Sequence, residues 1–204
     1  MGDIKQKDRI KITGNIKVDV YRVGYADAVQ PYLDQLQFLR RIPDKARLDI
    51  LSLRKTIADI KAFHFIRTAV ECPNTVMDSP NYGIDLLIQW LSGQGTYADS
   101  LMSLDYIEIG TGQTTPAITD TALTTPTNRA AVGFQQDYAT TDAIVQAIFS
   151  DSQLTNGTYY EMGTFCGGTT TIGTGQIFNH ALFGTAYTKA SGTDTTIEAD
   201  FNFS

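Results

Sequence analysis

Apolar and polar residues alternate from Arg9 to Arg22 on both sides of Gly14-Asn15, the period of two expected of a strand–turn–strand. One face of this β-hairpin carries Ile10, Ile12, Ile16, Val18 and Val20. The period then lengthens. Val29, Leu33, Leu36 and Leu39 follow helical spacing and predict a helix from about Ala26 to Arg41, or from nearer Gln30 if Pro31 takes its first turn, with Pro43 ending it. Asp44 is placed to cap a second, longer helix that reaches about Glu71 and stops at Pro73. Its apolar seam is Ile50, Leu53, Ile57, Ile60, Phe63, Ile66 and Val70, and Lys45, Arg47, Asp49, Arg54, Lys55 and Asp59 fill the other side. So long a seam calls for a helical partner, from the same chain or from a second copy. A third helix is predicted from Asp78-Ser79-Pro80 to Ser92, capped by Ser79, stopped by Gly93, and buried along Ile84, Leu87, Ile88 and Leu91 with Trp90 nearby.

Past Leu104 the texture changes: 22 of the last 101 residues are threonine, and short β-type runs alternate with turn residues. Strands are predicted at Leu104–Ile109, Ala130–Tyr138, Ala143–Phe149, Tyr159–Phe165, Phe178–Thr188 and Thr195–Phe203. The last alternates cleanly, with Ile197, Ala199, Phe201 and Phe203 on one face, and such a strand is normally paired inside a sheet. The expected fold is α+β: an N-terminal β-hairpin and helical segment followed by a C-terminal antiparallel β-sandwich. Residues 1–95 then form a hairpin plus three-helix anchoring or oligomerisation region, and residues 96–204 a Thr/Gly-rich β-sandwich domain.

Charge divides along the same line. Fourteen bases against nine acids give residues 1–72 a net +5, and two bases (Arg129 and Lys189) against thirteen acids give the remainder −11. Two surfaces with different partners are expected. The overall charge of −6 argues against direct nucleic-acid binding. No apolar run approaches the ~18 residues of a membrane span, and the first twelve residues lack the apolar centre of a secretory signal, so a soluble protein without a membrane partner is expected. Cys72 and Cys166 are far apart in sequence and read as two buried free thiols.

No catalytic, cofactor-binding or metal-binding set is expected. His64 and His180 each stand without a second histidine or cysteine at ligand spacing. Gly110-Thr-Gly112 and Gly173-Thr-Gly175 lead into neither Gly-Lys-Ser/Thr nor a helix, and read as turns that need positive φ. Asp120, Asp137, Asp142, Asp151 and Asp194 are too scattered for a calcium loop and read as a solvated acidic surface.

One resemblance emerges from the second half. Ile107-Glu-Ile-Gly-Thr-Gly-Gln-Thr-Thr-Pro-Ala-Ile-Thr-Asp-Thr-Ala-Leu123 is followed by a basic residue, Arg129, then by Asn156-Gly-Thr-Tyr-Tyr-Glu-Met-Gly-Thr-Phe165, then by the lysine turn Thr188-Lys189-Ala-Ser and a final strand. This order resembles a β module of tailed-bacteriophage virion and tail-fibre proteins, over Leu104–Ser204 only. The family often carries an arginine in the strand before the lysine turn. Here that stretch is Ile177-Phe-Asn-His-Ala-Leu-Phe183, so the resemblance leaves open whether Glu161 has an ion-pair partner.

The resemblance implies a structural, non-enzymatic component of a phage virion, assembled in the host cytoplasm. The leading expectation is a neck, tail or fibre-type protein that docks on other virion proteins through its basic half and self-associates. A capsid decoration protein is the alternative, as is a receptor module whose Tyr159, Tyr160, Tyr187 and Trp90 stack on a host-surface glycan.

Overall fold

The computed structural model describes residues 12–39, 47–80, 82–92, 103–139 and 141–203. In chain order they form β1 (Ile12–Thr13), β2 (Asn15–Arg22), α1 (Tyr25–Leu39), α2 (Arg47–His64), β3 (Phe65–Pro73), β4 (Thr75–Val76), β5 (Asp78–Ser79), β6 (Tyr82–Gly83) and α3 (Ile84–Ser92). The second half is β7 (Leu104–Gly110), β8 (Pro126–Ala139), β9 (Asp142–Phe149), β10 (Gly157–Cys166), β11 (Gln176–Lys189) and β12 (Thr193–Phe203). All six strands expected after Leu104 are present.

Ten strands join in one antiparallel sheet of order β3-β2-β12-β9-β8-β7-β10-β11-β4, with β1 also on β12. β3 returns against β11, so the sheet is nearly closed. Its interior is one apolar core, drawn from Ile16, Val18 and Val20 of β2, Ile107 and Ile109 of β7, Val145, Ala147 and Phe149 of β9, and Ile197, Ala199 and Phe201 of β12. Period-two alternation on each of these strands sends the apolar set inward.

Four expectations change. Residues 12–22 do not fold as a hairpin: β1 and β2 pair with successive stretches of β12, Ile12 opposite Phe203 and Ile16 opposite Ala199. Gly14 lies between them because a Cβ there would stand 1.7 Å from the Asp200 carbonyl oxygen. The second helix ends at His64 rather than Glu71, and the chain continues as β3. Phe65-Ile-Arg-Thr-Ala-Val is rich in aromatic and β-branched residues, and pairing with β2 outweighs the helical spacing of Ile66 and Val70. The third helix starts at Ile84, because the residues around Pro80 form the β5–β6 ribbon instead. Of its expected buried face, Ile84 and Leu87 are half-buried, whereas Ile88 and Leu91 are 56% and 71% exposed; Leu86 enters the interior. Finally, the boundary at 95/96 does not divide the sheet: β12 of the second half lies between β2 of the first half and β9 of the second. Ile10, Arg41 and Asp44 lie outside the described residues.

Both outer faces of the sheet are covered. Over β2, β12 and β9 lies the antiparallel pair α1–α2. Val29, Leu33 and Leu36 pack with Leu53 and Ile57, and Tyr21, Tyr25 and Ile148 complete this second cluster. Pro31 falls well inside α1 rather than in its first turn. Beneath the helices the sheet is polar: Gln146 donates to Glu198 at 3.0 Å, Lys17 pairs with Asp19 at 3.0 Å, and Thr68 donates to Asp19 at 2.7 Å. The other outer face, over β7, β10 and β11, is covered by loop 111–125, loop 167–175 and the β5–β6 ribbon.

Because both halves supply neighbouring strands, residues 1–95 and 96–204 expressed separately should each lack a cooperative thermal transition by circular dichroism. In the intact chain, Phe201→Ala, which empties a site where Phe201 meets Phe178 at 5.3 Å, should lower the unfolding free energy by about 3–5 kcal/mol. A sharp melt from residues 96–204 alone would contradict the shared sheet.

Candidate functional site

The loop-covered face carries the densest buried charge among the described residues. Strand register explains why. Across the wall Arg129 lies opposite Glu108, Glu108 opposite Gly163, and Gly163 opposite His180, so one row crosses four strands, β8, β7, β10 and β11. Tyr159 faces the interior, and simple alternation would send Glu161 the same way. A bulge between Tyr159 and Glu161 turns Glu161 to the outer face.

Glu161 is fully buried and every lone-pair direction is used. Its Oε1 accepts from the amides of Gly112 at 3.0 Å and Thr125 at 2.7 Å, and its Oε2 from the amide of Thr124 at 3.0 Å and from His180 Nε2 at 3.0 Å. The other ring nitrogen of His180, Nδ1, meets Asp120 Oδ2 at 2.8 Å. Asp120 also accepts from the Ala117 amide at 2.9 Å. Carboxylates only accept, so both ring nitrogens donate and the imidazole is held as its cation. Burial works against that charge, but the bonds to Glu161 and Asp120 outweigh it and raise the His180 pKa. For Glu161 burial likewise opposes ionisation, yet His180 and the Thr125 and Thr124 amides lower its pKa below the usual carboxylate value.

This geometry accounts for the Gly-Thr-Gly turn. Gly110 and Gly112 have ordinary φ, so the positive-φ reading fails there. A Cβ at either would stand 2.6 or 2.4 Å from Glu161 Oε1; the glycines leave room for a carboxylate. Gly173 and Gly175 do adopt positive φ, as expected. Gly163 leaves room for Leu123, whose Cδ2 would be 3.0 Å from a Cβ there. Leu123 in turn packs with Met77, Phe165 and Ile177.

Arg129 and Glu108 form a second buried pair at 2.5 Å, with both side chains fully inaccessible. The guanidinium lies 4.1 Å from the Tyr106 ring centroid and 5.0 Å from that of Phe165. The Gly173 amide donates to Glu108 at 2.7 Å, and Asp105 accepts from the Gly167 amide at 2.7 Å, so loop 167–175 is tied down at both ends. A third clamp lies across the turns beside α1. Lys189 donates to Asp151 at 2.5 Å and to the Ala190 carbonyl at 2.9 Å. Asp194 accepts from the Asp151 amide at 2.8 Å and from the Ala26 amide at 2.9 Å, which caps α1 from a distant strand.

The scattered acids thus take separate structural places: Asp120 on His180, Asp151 and Asp194 in the lysine clamp, and Asp142 on Asn202. The side chain of Asp137 lies outside the described residues. Among those described, no three histidine, cysteine or acidic side chains converge to hold a metal ion, and no helix is long and apolar enough to cross a membrane. His64 stands half-buried beside Tyr25 and Phe63. Cys72 and Cys166 are buried and form no disulfide, and burial pushes their thiols up to about 11 and about 12. Tyr159 and Tyr187 stack on each other inside the core, out of reach of a sugar, whereas Trp90 is partly exposed on α3. Sequence reasoning missed the ion pair on Glu161. His180 takes the place where an arginine was looked for, and the Asn-His step in an apolar strand was its one signal.

Glu161→Ala should lower stability by about 3–5 kcal/mol, since it strands a buried cation and three loop amides. The raised His180 pKa adds stability below the free value near ~6.5 that is lost as pH rises through the folded value; the lowered Glu161 pKa adds stability above ~4.3 that is lost as pH falls through its folded value. The melting-temperature gap between wild type and His180→Gln should therefore be widest between those limits and narrow on either side. A gap that stays constant with pH would exclude the charged bridge.

No protein-family model, no curated protein and no solved structure matches the chain, so the clamps stand on their own geometry.

Proposed function

We propose that this chain is a structural component of a tailed-bacteriophage virion, of neck, tail or fibre type. It docks through its basic N-terminal half, exposes its Thr-rich β-sandwich-type half, and associates with its own copies and with other virion proteins. The observation that carries this reading is the convergence of the motif residues. Gly110, Gly112, Asp120, Leu123, Arg129, Glu161, Gly163 and Phe165 are spread over some fifty residues of sequence, yet they meet in one layer. A set of motifs that shares one physical job is stronger support for a common module than the same motifs in isolation. That job is to hold two long loops rigid on a sheet, which suits a protein whose work is to present and pack surfaces.

The charge division favours docking through the first half. Arg22, Arg54, Lys55 and Arg67 are exposed on β2, α2 and β3. Exposed Phe63 and Phe65 lie among them. An apolar patch with Arg22 at its edge, the guanidinium 5.9 Å from the Phe63 ring centroid, suits an acidic protein surface. No described feature favours the glycan reading in the same way.

Mass spectrometry of purified particles made from the genome that encodes this chain should detect it at several copies per particle, and immunogold should label the neck, tail or fibre. Re-addition of the full chain to particles lacking it should restore binding that weakens as salt rises from about 50 mM to 500 mM. Absence from mature particles ends this proposal; label confined to the head shell moves it to capsid decoration.

A further inference from the structure

A cleft of about 480 Å³ opens between α1 and β8 on the outer face of the sheet. Its helix side carries Asp27, Gln30 and Asp34, spaced three and four residues apart and therefore stacked on one face of α1. Its sheet side is apolar, with Ala130, Val132 and Ile148. Gly133 lies on that side too, and a Cβ there would stand 3.6 Å from the Gln30 amide oxygen, so the missing side chain keeps the floor low. No lysine or arginine is among the residues that line the cleft. The two cations of the second half are held elsewhere, Arg129 on Glu108 and Lys189 on Asp151. Asp27 and Asp34 are exposed, and Asp34 accepts one hydrogen bond from Gln30 at 2.8 Å. The cleft is acidic along one wall and apolar along the other.

One stretch of this chain has the complementary pattern. Lys5, Lys7, Arg9 and Lys11 stand at alternate positions, with Ile4, Gln6, Asp8 and Ile10 between them. Four bases against one acid make residues 4–11 net +3. In extended form the four cations fall on one side and both isoleucines on the other. We propose that residues 4–11 of one copy lie extended in the cleft of a neighbouring copy, with cations on Asp27 and Asp34 and isoleucines on the β8 wall. Asp27 and Asp34 are seven residues apart on α1, a rise of about 10.5 Å. Cations two or four residues apart in an extended segment lie about 7 or 13 Å apart, and flexible lysine stems bridge the difference. Charge complementarity of this kind also fixes the orientation in which the segment enters.

The topology makes the receiver a second copy. Ala26, at one end of the cleft, donates its amide to Asp194 at the start of β12, whereas Ile12 begins β1 opposite Phe203 at the far end. Asp194 and Phe203 are nine residues apart, about 30 Å of strand. Lys5 is seven residues from Ile12 and reaches at most about 25 Å from it, too short to lay residues 4–11 along the cleft of the same copy. Segment and cleft are different surfaces, so the contact is head-to-tail and propagates into rings or filaments rather than closing at two. This deepens the self-association proposed above, and it is measured on the purified chain in solution, so its failure and the failure of the virion reading are separable.

Two measurements test it. A labelled peptide of residues 2–12 should bind the full chain carrying K5A/K7A/R9A/K11A, whose cleft is free of competing segments, at about 10–100 µM, and more weakly as salt rises from about 50 mM to 500 mM. Adding D27N/D34N to that chain, or G133L instead, should each weaken the peptide at least about tenfold, the first by removing both charges and the second by filling the floor. Gly133 has an ordinary φ, and unchanged thermal melts verify the fold of each variant. Sedimentation of the wild-type chain up to about 300 µM should show species larger than a dimer. The K5A/K7A/R9A/K11A chain and a chain carrying G133L alone should each stay monomeric. Their equimolar mixture should form a one-to-one heterodimer and nothing larger, because one competent segment and one open cleft remain. A peptide that fails to bind, or that binds the G133L chain equally well, leaves the cleft to another occupant and overturns the proposal. So does a wild-type chain that stays monomeric or stops at a dimer, a single variant that assembles as the wild type does, or a mixture that stays monomeric.

Discussion

The Glu161 carboxylate is the constraint around which the outer layer is arranged. A carboxylate with no exposure carries a desolvation cost of several kcal/mol, which only complete hydrogen bonding and an opposing charge offset. Here three peptide amides of loop 111–125 and the His180 ring supply both. The dependence runs the other way too. The loop covers fifteen residues without regular structure, and its amides would otherwise be partnerless where it lies against the sheet. Glu161 fixes the loop, the loop carries Asp120 and Leu123, Asp120 completes the imidazolium, and Leu123 seals Gly163. Removing any one uncovers the others.

The same logic of distant parts completing each other runs through the sheet. β12, the last strand, lies between β2 and β9, and Asp194 at its start caps α1. β4 pairs with β11 more than a hundred residues later. The core is therefore closed by contacts of high sequence separation, and closure of the sheet waits for the last strand. Slow folding follows from that topology. Once formed, the near-closed wall leaves little free strand edge, the usual route to unwanted pairing.

Elements governed by local pattern were legible in the sequence. The six strands after Leu104, the inward faces of β2 and β12, and the seam from Leu53 to Ile57 each follow from spacing, since a period of two or 3.6 needs no knowledge of partners. Elements that depend on partners were not. Gly14-Asn15 has turn chemistry, but both flanking runs find β12 more favourable than each other. Phe65-Ile66 fits a helix seam until β2 offers a strand to pair with. The anion cradle was illegible for the same reason: Gly110, Gly112 and His180 gain their meaning from Glu161, and their alignment depends on bulges that periodicity does not announce. The motif order was visible, and the reason for the order was not.

The helical layer stands in contrast to the clamps. Its contact with the sheet is largely polar, through Asp19, Gln146 and Glu198, and burial raises the Glu198 pKa despite the nearby Lys61 and Lys17. The apolar seam of α1–α2 is buried mainly within the pair, with Tyr21 and Ile148 as the sheet's share. One side of the molecule is thus locked by buried charge, whereas the other carries a helix pair whose Phe38, Leu51 and Phe63 stay exposed.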